Sequence, residues 1–188
     1  RTIAHHGFLE GHIPAAKIQD PQKMLNITQN AVKELTDEFG TPDSIGLTGQ
    51  MHGMLYVDEN GNAVSPAYIW QDGCGNLPME DGITYAEYMK KAGGAAASGF
   101  GLISHFYLQK NGMIPETAVK MSTISDYIGM KLCGRTEPVI AVDMAASWGC
   151  FDLEKGDFYR EELDKLGVDL TYLPEILEKH EIMGHTES

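Results

Sequence analysis

With 188 residues, the chain is long enough for one domain with a substantial hydrophobic core. Its 14 Lys and Arg against 27 Asp and Glu leave a formal net charge of −13, which argues against nucleic acid as a partner, because phosphate binding needs a basic face. The same charge disfavours an anionic membrane surface; no apolar run reaches bilayer length, and the three cysteines, Cys74, Cys133 and Cys150, lack zinc or disulfide spacing, so a reducing, cytoplasmic setting is expected.

Residues 1–6 read as extended and begin abruptly, without the charged-then-apolar pattern of a signal peptide. Asp20-Pro21 predicts a helix start, with Asp as N-cap and Pro at the first helical position. Leu25, Thr28, Val32, Leu35 and Phe39 follow at helical spacing, and Gly40 is the expected stop. Ser44 to Thr48 reads as a short buried strand, and Gly49 to Gly53 as a glycine-bracketed turn. Met54 to Asp58 and Ala63 to Ile69 predict two strands. Between them Asn60-Gly61 marks a hairpin of type I′, in which both residues take positive φ. Trp70-Gln-Asp-Gly73 closes this unit.

A short helix is expected over Tyr85 to Ala92, one with an apolar face over Leu102 to Asn111, and another starting at Pro115. Ile124 to Leu132 predicts a further helix, with Ser122 and Thr123 as candidate caps and Gly134 beyond its end. Val139 to Val142 reads as a strand leading into Asp143–Gly149, and Asp157 as the cap of a last helix ending at Leu166 before Gly167. There are no repeats or low-complexity tracts, and the alternation of elements is that of an α/β domain.

The common nucleotide signatures are absent: there is no G-x-x-x-x-G-K-[ST] loop, and Gly73-x-Gly75 and Gly99-x-Gly101 are too short for a dinucleotide fingerprint. His180 and His185 are five apart and leave a common helical face, so no metal site is expected there; His5 and His6 read as solvent-exposed. What remains is a polar cluster at strand ends. Gln50, Met51 and His52 follow one strand, and Trp70, Gln71 and Asp72 follow the next. In open α/β sheets ligands gather beyond the carboxyl ends of strands. An indole face stacks on the apolar side of a sugar ring, while His, Gln and Asp pair with hydroxyls. The same residues admit a structural reading: Trp70 in the core, His52 a satisfied turn histidine, Asp72 the cap of the following turn.

Ile45-Gly-Leu-Thr-Gly-Gln-Met-His-Gly53, followed after a hairpin by Pro66-Ala-Tyr-Ile-Trp-Gln-Asp-Gly73, resembles the FGGY family of carbohydrate kinases. Ser98-Gly-Phe-Gly101, Ser125-Asp-Tyr-Ile128, Leu132-Cys-Gly134, Asp143-Met-Ala-Ala-Ser-Trp-Gly149 and Leu173-Pro-Glu-Ile176 continue the resemblance in order along most of the chain. The Ser-Gly-Phe-Gly and Ala-Ala-Ser-Trp-Gly variants look most like the branch acting on sedoheptulose, a seven-carbon ketose; xylulose, ribulose or another polyol stays open. The resemblance implies an actin-like (ribonuclease H-like) α/β ATPase-fold domain, a mixed sheet flanked by helices, incomplete at both ends. It places Met51 and His52 on the sugar, Trp70 and Asp72 on the opposite wall, and Gln50 and Gln71 nearby. Gly99, Phe100, Asp143 and Ser147 would support the pocket, Gly99 leaving it more open where other members carry an aromatic.

By the same resemblance residues 1–188 are part of an N-terminal, sugar-binding domain, without the family's phosphate-loop hairpin, its general base or its C-terminal domain. ATP and Mg²⁺ are then cofactors of the full-length parent and are not expected to bind this chain tightly. The chain alone is expected to be inactive in phosphoryl transfer, which depends on positioning and charge neutralisation from all these parts. Its partners are a small sugar and the missing C-terminal domain, and an unpaired sheet edge makes a homo-oligomer possible. The alternative reading is a non-catalytic sugar-binding or sensor domain derived from a kinase.

Overall fold

The structure is a computed structural model and describes residues 2–11, 13–178 and 181–186. Arg1 and His180, both read above, lie outside the described residues. Strands β1 (Phe8–Leu9) and β2 (Ile18–Gln19) pair antiparallel ahead of helix α1 (Pro21–Phe39). As the sequence predicts, the Asp20 carboxylate accepts from Lys23 N at 3.0 Å, Pro21 opens the helix, and Gly40 ends it at φ 88°. The apolar stripe of α1 is buried only at its start: Leu25 is 3% exposed, Phe39 75%.

The expectation of a buried strand over Ser44–Thr48 fails. The segment is exposed and pairs with nothing; no hydrogen bond among the described residues involves the backbone of residues 41–49. An extended segment becomes a strand only when a neighbour takes up its ladder of N–H and C=O groups.

β3 (Leu55–Val57) and β4 (Ala67–Tyr68) follow, joined by bridges from Met54 to Tyr68 and from Val57 to Ala63. The hairpin is therefore present, but its turn is not type I′: Gly61 alone takes positive φ, at 70°. The Asp58 carboxylate accepts from Asn60 N at 2.9 Å and Asn62 N at 2.8 Å, which holds Asn60 in an ordinary conformation. β4 adds to β2, giving the sheet order β1-β2-β4.

Helix α2 (Tyr85–Met89) begins with a capping box between Thr84 and Glu87 and runs into a 3-10 turn, Lys90–Ala92. Helix α3 (Gly101–Lys110) is buried on every side from Gly101 to Leu108, not along one face, which marks it as the central helix. Pro115 starts only a turn, closed by Ala118 N donating to Pro115 O at 3.0 Å. β5 (Lys120–Ser122), not foreseen, pairs antiparallel with β3.

Helix α4 (Ile124–Leu132) matches its expected bounds, with Thr123 as N-cap. β6 (Val139–Ala141) passes straight into helix α5 (Val142–Ser147) and pairs in parallel with β9 (Glu175–Leu177). Between them stand the hairpin β7 (Phe151–Asp152) and β8 (Asp157–Phe158), then helix α6 (Arg160–Lys165). Asp157 does not cap that helix: it lies in β8 with its carboxylate on Arg160 Nε at 2.7 Å, and Tyr159 occupies the cap position.

The main core surrounds α3, where Leu102, Ile103 and Phe106 meet Tyr56, Ile140 and Trp148. A smaller core lies under α1 and α4, around Leu25, Leu55 and Tyr127. Among the described residues no helix is long and apolar enough to cross a membrane.

Candidate functional site

The turn carrying Gln50, Met51 and His52 is held from two sides. At Gly49 an added Cβ would stand 2.7 Å from the Ser125 Cβ, so the start of α4 presses directly on the backbone. On the other side, His52 N donates to Ser147 Oγ at 3.0 Å, and His52 Nδ1 lies 2.6 Å from the Ser147 carbonyl. A carbonyl can only accept, so Nδ1 carries the proton and Nε2 is left without a partner among the described residues. The imidazole lies flat on Phe100, with ring centroids 4.3 Å apart and an interplanar angle of 5°. His52 takes φ 72°, a conformation that costs a residue with a Cβ about 1–2 kcal/mol and that these contacts sustain.

Residues 98–100 tie this turn to the other half of the cluster. Ser98 Oγ donates to Asp72 O at 2.8 Å, Gly99 packs onto Trp70, and Phe100 lies under His52. Gly99 does not open the pocket: its φ is 87° and a Cβ there would collide with the Trp70 carbonyl oxygen. Trp70 is 56% exposed and Met51 50%, both unusually high for such side chains, and Gln71 is exposed beside them. His52 is thus linked to Trp70 only through Phe100 and Gly99, and Met51 precedes His52 in the turn.

Two residues of the cluster face elsewhere. Asp72 is 2% exposed, and its carboxylate accepts from Ser104 Oγ at 2.6 Å and from Cys74 N at 3.4 Å, so here it holds the turn after β4 from within. Gln50 donates to Gln19 Oε1 at 3.0 Å and lines a separate cleft of about 420 Å³ between α1 and α4, with Met24, Leu47 and Ile128.

Of the four supporting residues, Ser147, Phe100 and Gly99 make the contacts just described. Asp143 is exposed, and among the described residues its carboxylate accepts a hydrogen bond only from Met144 N, the next amide, at 2.9 Å.

Sequence reasoning missed three residues of this region. Trp148 Nε1 donates to Gly53 O at 2.9 Å in the core, Ser104 holds Asp72, and Asp126 stands at the start of α4. The Asp126 carboxyl is 6% exposed; burial above all, and then Asp143, raises it to about 6, although Thr123 Oγ1 donates to it at 2.6 Å. Thr123-x-x-Asp126 is the helix-start pattern that could have revealed it.

The site offers an indole face, a thioether and an imidazole acceptor, a set suited to a neutral polyhydroxylated molecule. Among the described residues no group of three or more His, Cys, Asp or Glu side chains could hold a metal ion.

Sedoheptulokinase from Mus musculus is 29% identical over 198 residues, covering 92% of this chain and 39% of its own length. Xylulose kinase from Staphylococcus xylosus is 27% identical over 173 residues, covering 88% of this chain and 35% of its own. The chain thus spans well under half of the curated relatives it matches. The crystal structure of gluconate kinase from Lactobacillus acidophilus superposes with a TM-score of 0.76 at 20% identity, over 96% of this chain and 37% of that one. That likeness bears out the expected mixed α/β domain of the actin-like ATPase fold. The sequence profile of the FGGY family of carbohydrate kinases, N-terminal domain, matches residues 7–188, and to that family this chain belongs.

Proposed function

We propose that this chain is the sugar-binding part of an ATP-dependent ketose kinase, with sedoheptulose the first candidate substrate and xylulose the second. The observation that carries this reading is the state of His52: it is clamped by Ser147 and Phe100, its Nε2 has no partner among the described residues, and Phe100 and Gly99 link it to the exposed Trp70. A preorganised acceptor next to an aromatic surface fixes a sugar hydroxyl and the ring or chain that bears it. The relatives named for sedoheptulose and for xylulose support both candidates.

ATP and Mg²⁺ are, in this reading, not expected to bind this chain tightly. The role assigned to this chain is therefore to bind and orient the sugar, with Asp72 holding Trp70 and Gln71 in place from within. ATP, Mg²⁺ and the proton-accepting base belong, in this reading, to the remaining part of the same protein, in the cytoplasm, and the chain alone is inactive.

Isothermal titration of the chain with sedoheptulose and xylulose, alongside His52→Ala, tests the proposal. Loss of the His52 acceptor is expected to weaken ketose binding at least about tenfold, the worth of one good buried hydrogen bond. Equal ketose affinity in wild type and variant would remove the basis of the reading.

A further inference from the structure

From Ser44 to Val57 the chain carries no charged residue and no proline, although 22% of all its residues are charged and its net charge is −13. The first part of this stretch, Ser44–Thr48, is neither helix, turn nor bend and is exposed throughout. Its backbone N–H and C=O groups make no hydrogen bond among the described residues, and Ile45 and Leu47 are 41% and 44% exposed. Open edges are normally blunted by Lys or Pro, because an unpaired ladder takes up any strand that reaches it. Neither residue type occurs here.

The five residues are complementary to themselves. Turned antiparallel about Gly46, a second copy sets Ile45 opposite Leu47 and Ser44 opposite Thr48, each pair occurring twice. Because side chains alternate, the Ile–Leu pairs share one face and the Ser–Thr pairs share the other, with the glycines between them. Apolar β-branched pairs and hydroxyl pairs are both favourable across antiparallel strands. The centre is also accessible. A Cβ added at Gly46 would meet nothing within 4 Å, and Gly46 is not in the left-handed region.

The surroundings favour a strand, and in particular a copy of this one. Leu47 lines the cleft of about 420 Å³ with Met24 and Ile128, so the Ile45 of a second copy, opposite Leu47, meets an apolar wall. On the same cleft Gln19 is 4% exposed and accepts from Gln50 Nε2, while its own Nε2 has no partner among the described residues. That buried donor suits the carbonyl of an incoming backbone. Charge then selects the occupant. Two molecules at −13 each repel one another except across an uncharged stretch. A basic partner would be drawn to the acidic surface elsewhere and gains nothing from an edge without a carboxylate.

We infer that Ser44–Thr48 is a dimerisation edge, pairing antiparallel about Gly46 with the same segment of a second copy of this chain. The interface is isologous and small, one short strand from each molecule, so association is reversible, with a Kd of roughly 10–100 µM. This inference does not depend on the proposed sugar binding.

Analytical ultracentrifugation of the wild-type chain, Gly46→Asp and Ile45→Lys from about 5 µM to about 1 mM tests it. Gly46→Asp sets two carboxylates against each other across the two-fold axis and crowds nothing within one molecule. Its Kd is expected to rise at least about tenfold, with thermal unfolding unchanged. Ile45→Lys, at an exposed position, should act in the same direction. Added salt is expected to tighten the wild-type dimer, because it screens the repulsion between two acidic molecules. Hydrogen exchange should show every second amide from Ser44 to Thr48 protected at high concentration and released on dilution.

A wild-type chain that stays monomeric to about 1 mM would overturn the inference. So would a dimer whose Kd lies within about twofold of wild type in both folded variants, since the interface would then be elsewhere. Protection of the Ser44–Thr48 amides that persists at the lowest concentration would mean that another part of the same chain covers the edge, which overturns it as well.

Discussion

At the scale of single residues, the site depends on backbone approaches that side-chain chemistry does not reveal. Gly99 is the sharpest instance. It combines a left-handed φ of 87° with contact against the Trp70 carbonyl, so an alanine meets both conformational strain and collision. Gly40 has a similar φ of 88° but nothing within 4 Å, so it isolates the strain alone. Gly40→Ala is expected to destabilise by about 1 kcal/mol, and Gly99→Ala by about 3 kcal/mol or more. Urea unfolding of the two variants would separate these contributions; equal losses would mean that the chain at Trp70 yields freely. If the Gly99 contact holds as described, Gly99→Ala should also disturb the Trp70 fluorescence, since the displaced backbone carries that indole.

Among the elements, what was legible in the sequence followed from local signals. Asp20-Pro21 and Gly40 set both ends of α1, and Thr123 set the start of α4, because caps and stops act within a turn of the residues that encode them. The strands β5 and β9 were missed because three-residue strands are defined by distant partners, β3 and β6, more than by their own pattern. Ser44–Thr48 failed for the converse reason: its pattern is that of a strand, but no partner stands beside it.

Of the candidate residues, Trp70, Gln71 and Asp72 come just after β4, whereas Gln50, Met51 and His52 follow a segment that forms no strand. The inward turn of Asp72 was open to both readings, and its settlement depends on Ser104, 32 positions along the chain. Helix α1 shows how the same periodicity can be spent differently along one element. Leu25 is 3% exposed and packs in the smaller core, whereas Leu35 at 43% and Phe39 at 75% lie on the same stripe in solvent. Leu25→Ala is expected to cost about 2–4 kcal/mol, and Phe39→Ala less than about 0.5 kcal/mol, by chemical denaturation. A large loss from Phe39→Ala would show that the exposed half of α1 is covered in solution.

For the whole molecule, two buried titratable groups oppose one another. His105 is fully buried, with Tyr56 OH donating to Nδ1 at 2.6 Å and Nε2 facing the Asp169 carbonyl at 3.1 Å, an arrangement that requires the neutral ring. Burial, only partly offset by Asp169, lowers its pKa from 6.5 to about 4. Below pH 6.5 the unfolded chain takes up a proton that the folded chain refuses, so acidification towards pH 4 removes about 3 kcal/mol of stability. Asp126 acts in the other sense. Its pKa rises from 3.8 to about 6, so the folded chain holds a proton that the unfolded chain has released, and stability falls by about 3 kcal/mol as pH increases through that window.

Between about pH 4 and 6 the two slopes, each about 1.4 kcal/mol per pH unit, nearly cancel, and the stability of the wild-type chain is expected to be almost flat. Asp58, Glu87, Asp152, Asp157 and Asp169 have lowered pKa values, so the Asp contributions are lost mainly as pH falls below about 4, and that of Glu87, whose ordinary value is 4.5, begins to fade at the acid end of the window. Removing either buried group should expose the other. Asp126→Asn leaves His105 unopposed, and stability should then rise with pH; His105→Gln leaves Asp126 unopposed, and stability should fall with pH. Urea unfolding at intervals across this range reads both slopes directly. A flat profile in Asp126→Asn would mean that His105 can be protonated without opening the core, and the packing of Tyr56, His105 and Asp169 around α3 would then be looser than the hydrogen bonds between them imply.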